Sequence, residues 1–122
     1  VPAVTFMEIS TDITEEGSEI ISKRVFDARE IQQKRYQEEG ILCNSALKQR
    51  QMKRFCKLDE GSRKLIEMAM ERLGFSARAY NRILKIARTI ADLAEREAIT
   101  PPDIAEAIAY RSLDRKLFAT MP

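Results

Sequence analysis

The chain of 122 residues is long enough for one domain with a single core, and its 44% hydrophobic and 33% charged residues are typical of a globular protein. Its 21 Lys and Arg nearly balance its 19 Asp and Glu, so the net charge of +2 gives no reason to expect nucleic-acid binding from the charge of the whole chain. The sequence has no histidine and only two cysteines, without a C-x-x-C pair, so we expect no metal site and no histidine-based catalysis.

The first 14 residues differ in character from the rest. Val1, Val4, Phe6 and Ile9 are typical of strands, which predicts that residues 1–14 form an extended N-terminal tail or the last strand of a preceding domain. The start of the chain also suggests a cut within a longer protein. No apolar run approaches the roughly 18 residues of a membrane span, and the N-terminus lacks the features of a signal peptide. We therefore expect a cytoplasmic protein with no membrane partner, in keeping with two isolated cysteines.

Residues 15–122 form the predicted helical domain, because their hydrophobic residues recur at three- and four-residue steps. A first helix is predicted over residues 15–39, with an inward stripe of Ile21, Val25 and Ala28 and a glycine cap at Gly40. A second, weakly patterned helix is predicted over residues 46–56.

Three further helices have clear boundary residues. Asp59 is the predicted cap of the third helix, Gly74 its end, and Ser76 the cap of the fourth. Thr100, followed by Pro101 and completed by Asp103 in a capping-box pattern, begins the last helix. The sequence thus predicts an all-α fold, a compact bundle of four to five helices with an extended N-terminal tail.

The polar face of the fourth helix carries four cations, which are Arg78, Arg82, Lys85 and Arg88. They could simply keep an exposed face in solution, or they could contact phosphate, for which the planar guanidinium is well suited. Arg78 lies in the first helical turn, where the helix dipole disfavours a cation by about 0.3–1 kcal/mol. An anion opposite this arginine would offset that cost, so Arg78 is the leading candidate for a phosphate contact.

No catalytic residue is predicted. The chain contains neither a G-x-x-x-x-G-K-[ST] phosphate loop nor a G-x-S-x-G elbow, and without histidine a Ser or Cys nucleophile would need an unusual base.

Much of the chain resembles the magnesium-chelatase-like AAA+ ATPases of bacteria, of the competence protein (ComM) type. The segments that carry the resemblance are VPAV at 1–4, AREIQ at 28–32, FCKL at 55–58, AMERLG at 69–74, SARAY at 76–80, ARTIADL at 87–93 and AEAIAYRSLDR at 105–115. The resemblance implies the helical lid that follows the nucleotide-binding core in AAA+ proteins. It also implies that Arg78 is a sensor arginine for the γ-phosphate of ATP, with Arg82 as the runner-up and Lys85 and Arg88 as candidate phosphate or partner contacts.

The resemblance further implies how such a lid works in a whole protein. ATP and Mg²⁺ would be bound by the full-length protein and neither by this fragment alone, because the Walker motifs belong to the core. The fragment should therefore not hydrolyse ATP, whereas the full-length parent is expected to be an ATPase. The implied partners are the chain's own AAA+ core, neighbouring subunits in a ring that is usually hexameric, and DNA during branch migration in competence.

Three alternatives remain open at this stage. The chain could be the lid of a magnesium-chelatase subunit that drives metal insertion into a porphyrin. It could be a free-standing helical module that binds DNA or protein, or an inert scaffold whose basic stripe is merely solvated.

Overall fold

The computed structural model describes the backbone of residues 2–120 and the side chains of residues 17–111. Within this part of the chain the structure is all helical, which confirms the predicted fold class. A 3₁₀ turn at Asn44–Ala46 accompanies five α-helices: α1 Pro2–Arg35, α2 Gln49–Phe55, α3 Glu60–Leu73, α4 Ala77–Leu93 and α5 Pro101–Thr120. Over the residues described, none of these helices combines the length and the apolar character needed to cross a bilayer.

Helix α4 lies at the centre of the bundle. It packs against α1, α2, the 3₁₀ turn and α5, while α3 packs against α5. Its residues Ile83, Ala87 and Ala91 are completely buried, at the three- and four-residue spacing that keeps one helix face inward. The other elements add their own buried side chains to the same cluster, including Tyr36, Met52, Ile66, Ile99 and Ile104. One continuous core therefore joins all the helices.

The predicted boundaries of α3 and α4 are confirmed. The Asp59 carboxylate accepts a hydrogen bond from the Ser62 amide at 2.6 Å, and the Ser76 hydroxyl accepts one from the Ala79 amide at 3.2 Å. Between the two helices Gly74 has φ +66°, the left-handed conformation that ends a helix and favours glycine.

The predicted capping pattern before α5 also forms. The Asp103 carboxylate accepts hydrogen bonds from both the amide and the hydroxyl of Thr100, each at 2.9 Å. The Arg96 guanidinium donates to the other oxygen of the same carboxylate. Asp103 therefore fastens the α4–α5 connection to the first turn of α5.

The extended tail expected at residues 1–14 differs from the structure, in which α1 begins at Pro2. A single strand without a partner leaves its amide and carbonyl groups unpaired, whereas a helix pairs them within the segment. The side chains of these residues lie outside the described part, and the division into 1–14 and 15–122 stays a prediction.

The inward stripe expected on α1 is correct only in its second half. Ala28 is 4% exposed, but Ile21 and Val25 are 49% and 38% exposed. Helix α1 has 34 residues and is about 50 Å long at 1.5 Å per residue. The hydrophobic pattern of α1 begins before the part of the helix that the other elements cover. The apolar residues that precede Ala28 are therefore exposed.

Candidate functional site

Arg78 lies in the first turn of α4. The Ser76 cap fixes the start of this turn, and Ala79, only 2% exposed, anchors it against the bundle. The Arg78 side chain is exposed and, among the described residues, forms neither a hydrogen bond nor an ion pair. This guanidinium is therefore available for a ligand from outside the bundle.

Arg82 follows one turn later; it is also exposed and likewise without a polar partner in the described part of the chain. Its surroundings differ from those of Arg78. Arg82 borders a groove of about 1060 Å³ between α1, α4 and α5, whose lining includes Ile20, Ile90 and Tyr110 but not Arg78. The two candidate arginines thus face different environments.

Lys85 is half-buried and already has a partner. Its Nζ donates a hydrogen bond to the carbonyl oxygen of Ser45 at 3.1 Å. This contact ties the middle of α4 to the 3₁₀ turn, so Lys85 has a structural role in addition to any contact with a ligand.

The prediction that Arg88 lies on the exposed polar face of the fourth helix is wrong. The Arg88 side chain is 3% exposed, and its two terminal nitrogens donate to the carbonyl oxygens of Glu97 at 2.9 Å and Arg96 at 2.8 Å. It also forms an ion pair with Asp92 at 3.1 Å, one helical turn along α4. A buried guanidinium is tolerated only when it is paired in this way, so Arg88 cannot serve as a contact for an external phosphate.

Asp92 is the partner that sequence reasoning missed. It is 1% exposed, and besides Arg88 it meets the Arg35 guanidinium, whose Nη1 lies 3.0 Å from Oδ2 while Nη2 donates to Oδ1. The Asn44 side-chain amide donates to the same carboxylate at 2.9 Å. One carboxylate on α4 therefore connects the end of α1, the 3₁₀ turn and, through Arg88, the α4–α5 connection.

The electrostatics of Arg35 agree with this arrangement. Burial alone would lower the pKa of its guanidinium, but hydrogen bonds to Asp92 and to the Tyr36 hydroxyl raise that pKa above its usual value. The i,i+4 spacing of Arg88 and Asp92 was visible in the sequence. The Arg35 contact spans 57 residues and had no local signal.

Comparisons with known proteins identify the family of the chain. Residues 15–111 match the family model described as magnesium chelatase, subunit ChlI C-terminal. The competence protein ComM of Haemophilus influenzae is 40% identical over 102 residues, which cover 84% of this chain and 19% of that protein. The uncharacterized protein YifB of Escherichia coli is 38% identical over 107 residues, which cover 88% of this chain and 20% of that protein. No solved structure gives a significant match.

The chain thus spans about one fifth of the length of these curated relatives. The matches confirm the resemblance to magnesium-chelatase-like proteins of the ComM type. Because the family model covers most of the chain and the fold is a compact helical bundle, this chain belongs to the family of magnesium chelatase subunit ChlI C-terminal domains.

Proposed function

We propose that this domain is the lid of an AAA+ ATPase and that Arg78 senses the terminal phosphate of ATP bound by the core of the longer protein. The observation that carries the proposal is the state of the four cations on α4. Arg88 is paired inside the bundle and Lys85 is bonded to the 3₁₀ turn, whereas Arg78 and Arg82 are exposed and unpartnered among the described residues. Of these two, Arg78 lies in the first turn of α4 and outside the groove that Arg82 borders. Membership of the magnesium chelatase family is the context in which we infer a nucleotide-binding core in the longer protein.

The chemistry of such a contact follows from the guanidinium. It stays charged at any physiological pH and donates two parallel hydrogen bonds to phosphate oxygens. ATP and Mg²⁺ would be held by the core, and this chain would contribute only the arginine. Hydrolysis would remove the terminal phosphate that Arg78 contacts. The angle between lid and core would therefore depend on which nucleotide is bound.

The strength of the contact is enough to bias such a movement. A charge-assisted hydrogen bond contributes about 1.5–3 kcal/mol, which corresponds to roughly a ten- to hundredfold change in a two-state equilibrium. Helix α4 packs against α1, α2 and α5, so a force on its first turn would move the bundle as one body.

The activity of the whole assembly is a further part of the proposal. We infer a ring, usually a hexamer in AAA+ proteins, formed with neighbouring subunits and acting on DNA in branch migration. The name of the Haemophilus relative, competence protein ComM, favours this function over metal insertion into a porphyrin.

The test is Arg78→Ala in the full-length protein, assayed for ATP turnover without DNA. We expect turnover at saturating ATP to fall about ten- to hundredfold, the decrease expected for one charge-assisted hydrogen bond. The matched control is Arg63→Ala. Arg63 is also an exposed arginine in the first turn of a helix, α3, and its replacement should leave turnover unchanged.

Arg82→Ala separates the runner-up from the leading candidate. If Arg82→Ala lowers ATP turnover about ten- to hundredfold while Arg78→Ala keeps the wild-type rate, the sensor is Arg82. If both variants turn over ATP normally, the sensor proposal is wrong for this helix.

A further inference from the structure

Basic and acidic residues are distributed unevenly along the chain. Residues 40–58 and 73–91 together contain nine of the 21 Lys and Arg and none of the 19 Asp and Glu. The small net charge therefore hides two segments that are purely basic, with the acidic residues concentrated elsewhere.

The structure brings these two segments together. The Asn81 side chain on α4 donates a hydrogen bond to the Gln49 side chain at the start of α2, at 2.9 Å. Lys85 on α4 donates a hydrogen bond to the carbonyl oxygen of Ser45, which lies shortly before α2. The exposed cations of α2 therefore lie beside the part of α4 that carries Asn81 and Lys85, whereas Arg88, the last cation of the second segment, is buried.

Helix α2 directs its cations to solvent because its other face is anchored. Met52 and Cys56 are each 4% exposed, and the Phe55 ring packs edge-to-face on Tyr36 with centroids 5.1 Å apart. The outer side is occupied by cations at i, i+3 and i+4 positions, extended by one lysine before the helix and one after it. We call this surface the α2 basic face; its exposed members are Lys48, Arg50, Lys53, Arg54 and Lys57.

Four of these five cations have no acidic partner in the described part of the chain. Arg54 pairs with Glu39 at 2.8 Å. Among the described residues, no carboxylate lies within ion-pair distance of Lys48, Arg50, Lys53 or Lys57. Neutralising them requires an anion from outside the described part of the chain.

We propose that the α2 basic face binds the phosphate backbone of double-stranded nucleic acid without reading its sequence. A protein partner would be expected to insert aromatic or apolar anchors, and no large hydrophobic residue of α2 itself is strongly exposed; the exposed Leu42 precedes the 3₁₀ turn. Single-stranded nucleic acid is bound by stacking on exposed aromatic rings, but the aromatic ring of α2, Phe55, packs on Tyr36. Closely spaced phosphates match a row of lysines and arginines.

This inference deepens the proposal of a motor that acts on DNA by naming the surface that meets the duplex. Its place in the motor rests on that proposal, whereas the binding itself rests only on the charges of this chain. The two can therefore fail separately, since the ATP turnover of the Arg78 variant does not depend on the α2 basic face.

The experiment measures binding of the 122-residue chain to a fluorescein-labelled duplex of about 20 base pairs by anisotropy, from about 50 to 200 mM salt. The test variant combines Lys48→Gln, Arg50→Gln, Lys53→Gln and Lys57→Gln. Glutamine is nearly as good a helix former as lysine or arginine, so α2 should persist, and circular dichroism checks this. The matched control removes the same charge from other exposed cations on α1 and α3: Lys23→Gln, Arg24→Gln, Arg63→Gln and Arg72→Gln.

We expect the wild-type chain and the control to bind with a steep salt dependence. The test variant should bind at least about tenfold more weakly at low salt. Its slope of log K against log salt should be shallower by up to about 3.6, which is about 0.9 for each phosphate that the variant no longer neutralises.

Three results would overturn the inference. The test variant could keep the affinity and slope of the wild-type chain. A single strand of the same length could bind more tightly than the duplex, which would assign the face to unpaired nucleic acid. Poly-glutamate could displace the duplex at equal charge concentration, which would assign the face to acidic protein segments.

Discussion

Asp92 is the residue on which the interior of the bundle depends most, because it carries a charge where little water reaches. Its carboxylate is 1% exposed and meets the guanidinium groups of Arg35 and Arg88 together with the amide of Asn44. The desolvation of such a group is costly, so the network as a whole can add little net stability. Removing one member is different, since the remaining charges stay buried without compensation.

Asp92→Asn should therefore lower the free energy of unfolding by about 3–5 kcal/mol, measured by urea denaturation of this chain with circular dichroism. Arg35→Gln should cost less, because the Arg35 side chain is 16% exposed and Asp92 would keep Arg88. Glu71→Gln, an exposed carboxylate on α3, is the control and should change stability by less than about 0.5 kcal/mol. A decrease below about 1 kcal/mol in Asp92→Asn, or a larger decrease in Arg35→Gln than in Asp92→Asn, would contradict the role given to this carboxylate.

At the scale of the helices, two glycines should respond to the same substitution with opposite signs. Gly74 ends α3 with φ +66°, where an alanine Cβ meets no atom within 4 Å but the backbone conformation itself is unfavourable. Gly61 lies inside α3 with helical backbone, and an added Cβ would lie 3.6 Å from the Pro101 side chain, an ordinary contact. Gly74→Ala should destabilise the chain by about 1–2 kcal/mol, whereas Gly61→Ala should stabilise it by about 0.4–1 kcal/mol. Urea midpoints of the two variants provide the measurement, and equal shifts in one direction would show that backbone conformation does not set the end of α3.

The helix boundaries were also the part of the structure that local sequence predicted best. Asp59, Gly74 and Ser76 act through neighbours within four or five residues, so their roles can be inferred without knowing the fold. Arg88 was predicted on an exposed face because its acceptors, the carbonyl groups after α4, become available only when the chain turns back. The pairing of Arg35 with Asp92 depends on how α1 crosses α4, which no local pattern encodes.

Of the candidate site, the sequence identified the cations of α4 but not which of them the fold would use internally. The α2 segment showed its basic composition in the sequence. Its adjacency to α4 became visible only through the contact of Gln49 with Asn81. Packing thus decides which basic residues are buried and which remain exposed. Both functional proposals rest on the residues that remain exposed.

For the molecule as a whole, the core is one cluster, yet α1 joins it unevenly. Tyr36 follows α1 and is completely buried, and Ala28 is 4% exposed, whereas Ile20, Ile21 and Phe26 are 58%, 49% and 61% exposed. The second half of α1 is therefore held by the bundle and by the Arg35–Asp92 pair. Residues 20–26 have little burial of this kind, and their helical hydrogen bonds can open without disturbing the core.

Hydrogen exchange should resolve this difference. Amides of residues 20–26 should exchange through local opening, at least about a hundredfold faster than amides of residues 83–91 in α4, which should exchange only when the whole bundle unfolds. The comparison is internal to one sample, measured by mass spectrometry of peptides from the two segments. Asp92→Asn should speed exchange at 83–91 in proportion to its decrease in stability while leaving 20–26 nearly unchanged, since opening there does not require the core to unfold. Equal protection of both segments would mean that the start of α1 is covered, and a dilution series would then show whether a second copy of the chain covers it.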